Sequence, residues 1–250
     1  PKQFGYYIQY REILFFVFKI NLYKYSNKIY FSTKNQDRWI IEDVFKQKTN
    51  GYFIDLAATS GIIDNNTFVL EKKYNWRGIC IEPNKKFFSK LKKNRTAICL
   101  NECIDYKENT VEFINDGGLS GILGEDTDNN YLKRSKKIEK FRKKNLLENK
   151  LTRSLVSILD EHNAPHTIDY LSLDIEGSEE RALINFDFEK YKFLSLTIER
   201  PTLKLHELLV SNGYVFIKHF KVDSFYLHNS IEKNIALTKD KYQELPKKKW

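Results

Sequence analysis

The chain has 250 residues, 41% of them hydrophobic and 14% aromatic, enough apolar mass for one sizeable core, which excludes a disordered polymer. Its most apolar stretch, Ile13 to Ile20, is broken by Lys19, falls short of the ~20 residues a spanning helix needs, and lacks the cleavage site of a signal peptide. The net charge of +9, from 42 Lys and Arg against 33 Asp and Glu, reads either as attraction to an anionic partner or as a solvated lysine-rich surface.

The first forty residues show no clean period until about Asp37 to Lys46, where Trp39, Ile40, Val44 and Phe45 can share one helical face. Tyr52 to Leu56 is a short apolar run ending in a turn, followed by a helix-like stretch, Asn66 to Lys73. Gly78 to Ile81 and Ala97 to Leu100 read as two more strands, with a helix over Phe87 to Lys93 between them and a short extra strand at Val111 to Ile114. From Gly117 to Lys150 the strand signals stop: four glycines make a flexible loop, and a basic helical segment follows, including Lys133, Arg134, Lys136 and Lys137. Leu151 to Glu161 reads as a helix, Ile168 to Leu173 as a strand, Glu179 to Ile184 as a helix and Phe193 to Ile198 as a strand. Leu203 to Ser211 is a helix stopped by Gly213, and Tyr214 to Phe220 with Ser224 to His228 forms a closing antiparallel pair. Short strands alternating with helices predict an α/β fold, a mostly parallel sheet covered on both faces. The three cysteines, Cys80, Cys99 and Cys103, cannot all pair with one another and have no zinc-type spacing, which predicts reduced thiols and a cytoplasmic location.

Ligands of such sheets bind beyond the carboxyl ends of the strands, so the polar residues there carry the chemistry. After the first strand comes Asp55-Leu-Ala-Ala-Thr-Ser-Gly61, whose small residues permit a sharp turn and close approach to a ligand. After the second comes Glu82-Pro83-Asn84, and an acid there can accept hydrogen bonds from both hydroxyls of a ribose. The pair predicts a nucleoside-type ligand. A dinucleotide site would want three glycines at the first turn; here there is one, preceded by an acid that repels pyrophosphate but suits the ammonium of a methionine moiety. That selects S-adenosylmethionine.

The run from Gly51 through Gly61, Asn66-Thr67 with Leu70-Glu71, Trp76 through Asn84, and Ile168 through Glu179 resembles the FkbM-type methyltransferases. The resemblance covers roughly Gln36 to His228. It implies a Rossmann-like class I methyltransferase fold with a seven-stranded-type sheet, and an S-adenosylmethionine-dependent O-methyltransferase acting on a sugar hydroxyl of a glycan. Some members are fused to glycosyltransferases, which implies such an enzyme as companion. Residue by residue, it implies that Asp55, Ala57 and Gly61 line the methionine end of the cofactor, that Glu82 holds the ribose, and that Pro83 borders the adenine. Glu102, Cys103 and Ile104 would lie beside the adenine ring, and Gln36 and Asp37 near the cofactor's amino-acid group. The departure is Ala57, where relatives usually carry glycine, and it leaves a non-catalytic cofactor-binding domain as a rival. The implied layout is an N-terminal extension over 1–35, the methyltransferase domain over 36–230 with 117–150 as a lid over the acceptor, and a basic tail over 231–250.

The fourth strand ends in Asp174-Ile-Glu176 and the fifth in Glu199. Carboxylates converging there can serve as general base for a hydroxyl, or Asp174 and Glu199 can ligate Mg²⁺ or Mn²⁺. The plainer alternative is that Asp174 holds the cofactor's amino group while Glu176 caps the next helix. Of the late histidines, His206, His219 and His228, the strand-ending His219 is the catalytic candidate. An RNA ribose methyltransferase would suit the basic excess, but no basic-aromatic interleaving supports nucleic acid as a partner.

Overall fold

The computed structural model describes residues 30–130 and 138–232. The chain divides into two compact units, residues 1–30 and 31–250, and the description concerns the second. Lys133, Arg134, Lys136 and Lys137, most of the N-terminal extension and nearly all of the basic tail lie outside the described residues.

A seven-stranded sheet is built from β1 (Tyr52–Leu56), β2 (Arg77–Ile81), β3 (Ile98–Leu100), β8 (Thr167–Leu173), β9 (Lys192–Glu199), β10 (Tyr214–Phe220) and β11 (Asp223–His228). The spatial order is β10-β11-β9-β8-β1-β2-β3, and every pairing is parallel except those of β11 with β9 and β10. This is the predicted class I methyltransferase arrangement, with its antiparallel closing hairpin. The central strands read as unbroken apolar runs because both of their faces are covered: β8 is buried at every residue after Thr167. Ile54, Leu56, Ile79, Ile81, Leu171 and Ile198 anchor the largest core cluster. The chain leaves β1 toward β2 and β3, then returns to place β8 on the other side of β1. That reversal opens a crevice at the carboxyl ends of β1 and β8.

The helices start where side chains satisfy their free N–H groups. In the helix Lys85–Asn94, Asn84 accepts from the backbone of Lys86 and Phe87. In Leu155–Glu161 the Ser154 hydroxyl accepts from Ser157, and in Leu203–Ser211 Thr202 accepts from Leu205. The helix expected over Asp37 to Lys46 is instead one α-turn, Gln36–Arg38, continued as a π-helix over Trp39–Val44. The widened turn buries Ile41 beside Trp39, Ile40 and Val44, a set that α-helical spacing does not align.

A second sheet was not foreseen. Its order is β4-β7-β5-β6, from Cys103–Ile104, Leu147–Arg153, Thr110–Ile114 and Gly121–Ile122. The segment from Leu147, read as basic helix running on into a helix at Leu151, is a strand through Arg153 and becomes helical at Leu155. Its backbone is paired on both sides, parallel to β4 and antiparallel to β5, and these distant partners outweigh the local charge pattern. Among the described residues no helix is long and apolar enough to cross a membrane.

Candidate active site

A cleft lies where the carboxyl ends of β1 and β2 face the small sheet. Glu82 fastens its floor. The buried carboxylate accepts the backbone N–H of Thr59 at 2.8 Å and of Asn84 at 2.7 Å, one on each oxygen. It thereby ties the loop after β1 to the loop after β2. Burial pushes its pKa up to about 7, with the two N–H donors working the other way. Each oxygen keeps a free lone pair for a ligand hydroxyl. Pro83, Glu102, Cys103, Ile104 and Phe113 complete the wall, so the structure brings the predicted β2 and β3 loop residues together. The Asn101 amide holds that wall in place by donating to the Glu82 and Pro83 carbonyls at 2.7 and 3.0 Å. Gly117, Gly118 and Ser120 to Ile122 close the opposite side, and Ser120 receives a hydrogen bond from the Asn84 amide at 3.1 Å.

Ala57 lines the cleft with φ of 65°, in the left-handed region, while its N–H donates to Ile81. An L side chain there costs ~1–2 kcal/mol, of which glycine's greater backbone entropy offsets roughly half. Ala57→Gly is therefore expected to stabilise the fold by about 0.5–1 kcal/mol, read as a higher urea midpoint at constant m. Gly61 turns the other way: a Cβ on it would meet Arg95 and Leu91 at 2.7 Å. Its small size serves packing of the loop on the helix behind.

Asp55 is also drawn to that side and does not line the cleft. Its carboxylate accepts from Asn65 Nδ2 at 2.9 Å and Thr67 Oγ1 at 2.7 Å. The buried Arg95 guanidinium then grips the same pair, with 2.9 Å to each, and Glu71 at 2.6 Å. Asp37 is likewise occupied, accepting from Phe31, Ser32 and Arg38, and so fixes the entry to the π-helix.

Near Glu176, three further acids stand in a row across three strands. Leu173 is registered with Ile198, which sets Asp174 beside Glu199, and Glu199 is registered with Asp223. Asp174 and Glu199 hydrogen-bond to each other, and burial together with the Glu199 charge holds the Asp174 carboxyl far above the usual range. Glu176, pushed to about 7 by burial and then by Glu199, lines the cleft beside Ile175 and Ser178. It does not cap the following helix; Glu179 turns back to accept from Ile175 and Gly177 at 2.9 and 3.2 Å.

Two cations, missed in the sequence, balance this cluster. Arg200 reaches Glu199, Asp128 and Glu176 at 2.5, 2.7 and 3.3 Å. Lys34 lies 3.2 Å from Asp223 and 3.6 Å from Glu199. Burial works against its charge, but Asp223, Asp174 and Glu199 outweigh that and raise its pKa. Gln36, expected near the cofactor, donates to Asp223 from the same segment. No periodicity could have marked Lys34 or Asp128, which meet the cluster only through the fold.

Two carboxylate trios among the described residues could hold a metal: Asp128, Glu176 and Glu199, and Asp174, Glu179 and Glu199. All-oxygen donors suit a hard divalent ion. In the first trio, however, Arg200 already supplies the positive charge. In the second, Glu199 is engaged by Arg200 and Lys34, and Glu179 by backbone N–H groups. The donors do not fit a resident metal. His219 stands apart, its Nδ1 with Ser224 Oγ at 3.1 Å and its Nε2 with the Lys221 carbonyl at 2.7 Å. His206 pairs with the Tyr226 hydroxyl, and His228 with Ser230.

Residues 50–225 match the methyltransferase FkbM domain family. A search of curated proteins found no match. Solved structures similar to this chain include a precorrin-6y C5,15-methyltransferase from Geobacter metallireducens GS-15, 12% identical, covering 80% of this chain and 92% of that one, with a TM-score of 0.40. A human methyltransferase 10 domain containing protein is also 12% identical, over 78% of this chain and 80% of that one, with a TM-score of 0.37.

Proposed function

Because the chain belongs to the FkbM methyltransferase family, and so uses S-adenosylmethionine, we propose that it methylates a hydroxyl group, on a sugar within a glycan. The cofactor supplies an activated methyl group on a sulfonium. The residues present fit it: Glu82 offers two buried carboxylate oxygens to the ribose hydroxyls, and Pro83, Cys103, Ile104 and Phe113 offer an apolar slot for the adenine.

The observation that carries the hydroxyl reading is the row Asp174–Glu199–Asp223, next to the cleft-lining Glu176. A neutral hydroxyl needs a base to become a good nucleophile, and a carboxyl with a raised pKa is a stronger base than an ordinary one. Asp174 takes the hydroxyl proton in this reading. Arg200 and Lys34 hold the Glu199 side chain in place by ion pairs, so that it orients Asp174 through their shared hydrogen bond. Glu176 and Asp128, held by Arg200, present acceptors for neighbouring sugar hydroxyls. A glycosyltransferase that builds the glycan is the partner implied. With Arg200 and Lys34 in place of an ion, chelators are expected to leave turnover unchanged, and added Mg²⁺ or Mn²⁺ to have no effect.

The test is mass spectrometry of acceptor libraries, including oligosaccharides and RNA, incubated with isotopically labelled S-adenosylmethionine. Label on a sugar oxygen of a glycan supports the proposal. Label on RNA ribose, or tight cofactor binding with no S-adenosylhomocysteine formed on any acceptor, overturns it. Glu82→Ala is expected to weaken cofactor binding by ~1–3 kcal/mol, because two hydroxyls lose a charged acceptor. Unchanged affinity by calorimetry would remove Glu82 from the site.

A further inference from the structure

Away from the cleft, the sheet holds a pair of thiols. Cys80 on β2 and Cys99 on β3 are register partners in adjacent parallel strands, so their side chains leave the same face of the sheet. Neighbouring strands lie ~4.8 Å apart, inside the ~4.4–6.8 Å between Cα atoms that a disulfide spans. The two thiols hydrogen-bond to each other, and Cys99 Sγ also donates to the Ala97 carbonyl at 3.3 Å.

Their access differs in a useful way. β3 is the edge strand, three residues long, and Cys99 on it is half-buried. Cys80, one strand in, is fully buried. The hydrogen bond from Cys80 lowers the Cys99 pKa, burial and the Glu71 charge oppose it, and the positive charges of Arg95 and Lys72 add to the lowering. Burial holds the Cys80 thiol well above its usual range. An outer thiol with thiolate character beside a sheltered partner is the arrangement that resolves mixed disulfides. Cys103, the third free cysteine, is buried on the small sheet and pushed up to about 12 by that burial.

We propose that Cys99 and Cys80 form a reactive dithiol, oxidised by a low-molecular-weight disulfide to an intrachain disulfide between β2 and β3. The Cys99 thiolate attacks one sulfur of glutathione disulfide, forming a mixed disulfide and releasing one glutathione thiolate. Cys80 then gives up its proton to that thiolate and attacks the Cys99 sulfur, expelling the second glutathione. Two electrons pass from the dithiol to the glutathione disulfide, which leaves as two thiols. The short edge strand supplies the small movement the bond requires. The bond joins the two strands whose ends lead into Glu82 and Glu102, the cleft's floor and wall.

The experiment exposes the folded protein to glutathione disulfide, blocks remaining thiols with N-ethylmaleimide under denaturing conditions, and maps peptides by mass spectrometry. The expected product is a Cys80–Cys99 cross-link with Cys103 alkylated, reversed by dithiothreitol. Cys80→Ala should instead hold glutathione stably on Cys99, and Cys99→Ala should leave Cys80 unmodified. Alkylation of all three cysteines in the wild type, or glutathione persisting on its Cys99 without a cross-link, overturns the proposal. The wild-type map decides the matter even if a variant fails to fold.

Discussion

Asp174→Asn is expected to lower kcat by roughly 10²–10⁴, the usual contribution of a positioned general base, while S-adenosylmethionine affinity stays near that of the wild type. In the proposed reading the cofactor's main contacts come from the loops after β1 and β2, whereas Asp174 follows β8. The pH profile adds a second check. A base works only when deprotonated, and burial with the neighbouring Glu199 raises the Asp174 pKa well above the usual value. The acid limb of kcat is therefore expected above the ordinary carboxylate range, with activity growing as pH rises through it. In Asp174→Asn that limb should vanish. Arg200→Met tests the positioning role: losing the guanidinium that Glu199 and Glu176 face should displace the limb further upward, because the ionised carboxylates lose a stabilising positive charge. Full activity in Asp174→Asn would return this residue to a structural role.

Arg95→Met is expected to destabilise the protein by ~3–5 kcal/mol, as removal of one partner from a buried ion pair generally does. Arg95 is 5% exposed, and its loss takes the guanidinium from Glu71, Asn65 and Thr67 and leaves the buried Asp55 without its nearby positive charge. The pH dependence gives the sign. Burial alone would raise the Glu71 pKa, but the Arg95 guanidinium, joined by Lys72 and the Thr96 backbone, overrides it and brings it from 4.5 to about 2. A depressed folded-state pKa contributes stability that is present above the unfolded value and lost as the pH falls toward the folded one. Wild-type stability should thus decline between about pH 4.5 and 2, and Arg95→Met should shrink that part of the decline, leaving what Lys72 and Thr96 contribute. Urea melts across the acid range measure both. A penalty below about 1 kcal/mol, typical of surface pairs, would mean that the carboxylates find other partners.

The central strands were legible because burial on both faces leaves a continuous apolar signature in Tyr52 to Leu56 and Ile168 to Leu173. The strand-end acids were legible for a related reason: a charged residue directly after such a run has only the crevice to enter. Glu82 and the pair Asp174 and Glu199 show this. Asp55 shows the limit. Its place in the chain marks the first loop, but its side chain alternates to the face where Arg95 waits, and Arg95 lies forty residues away. Of the small sheet only β5 was legible, as the run Val111 to Ile114; β6 and β7 owe their extended form to their partners. Segment 147–153 carries only one fully buried residue, Thr152, so hydrophobic spacing says little. Lys34 and Asp128 were missed for the same reason, since electrostatic pairing across the fold leaves no local period.

The return of the chain to β1 also bears on how the protein is made. β1 is complete at Leu56, yet its second neighbour, β8, begins only at Thr167. During synthesis β1, β2 and β3 leave the ribosome long before β8, so an apolar strand destined for the centre of the sheet waits with one edge of its backbone unpaired. Such an edge is a template for pairing with another chain. Nascent chains that stop short of β8 should depend on chaperones for solubility, and those long enough to include β9 should not.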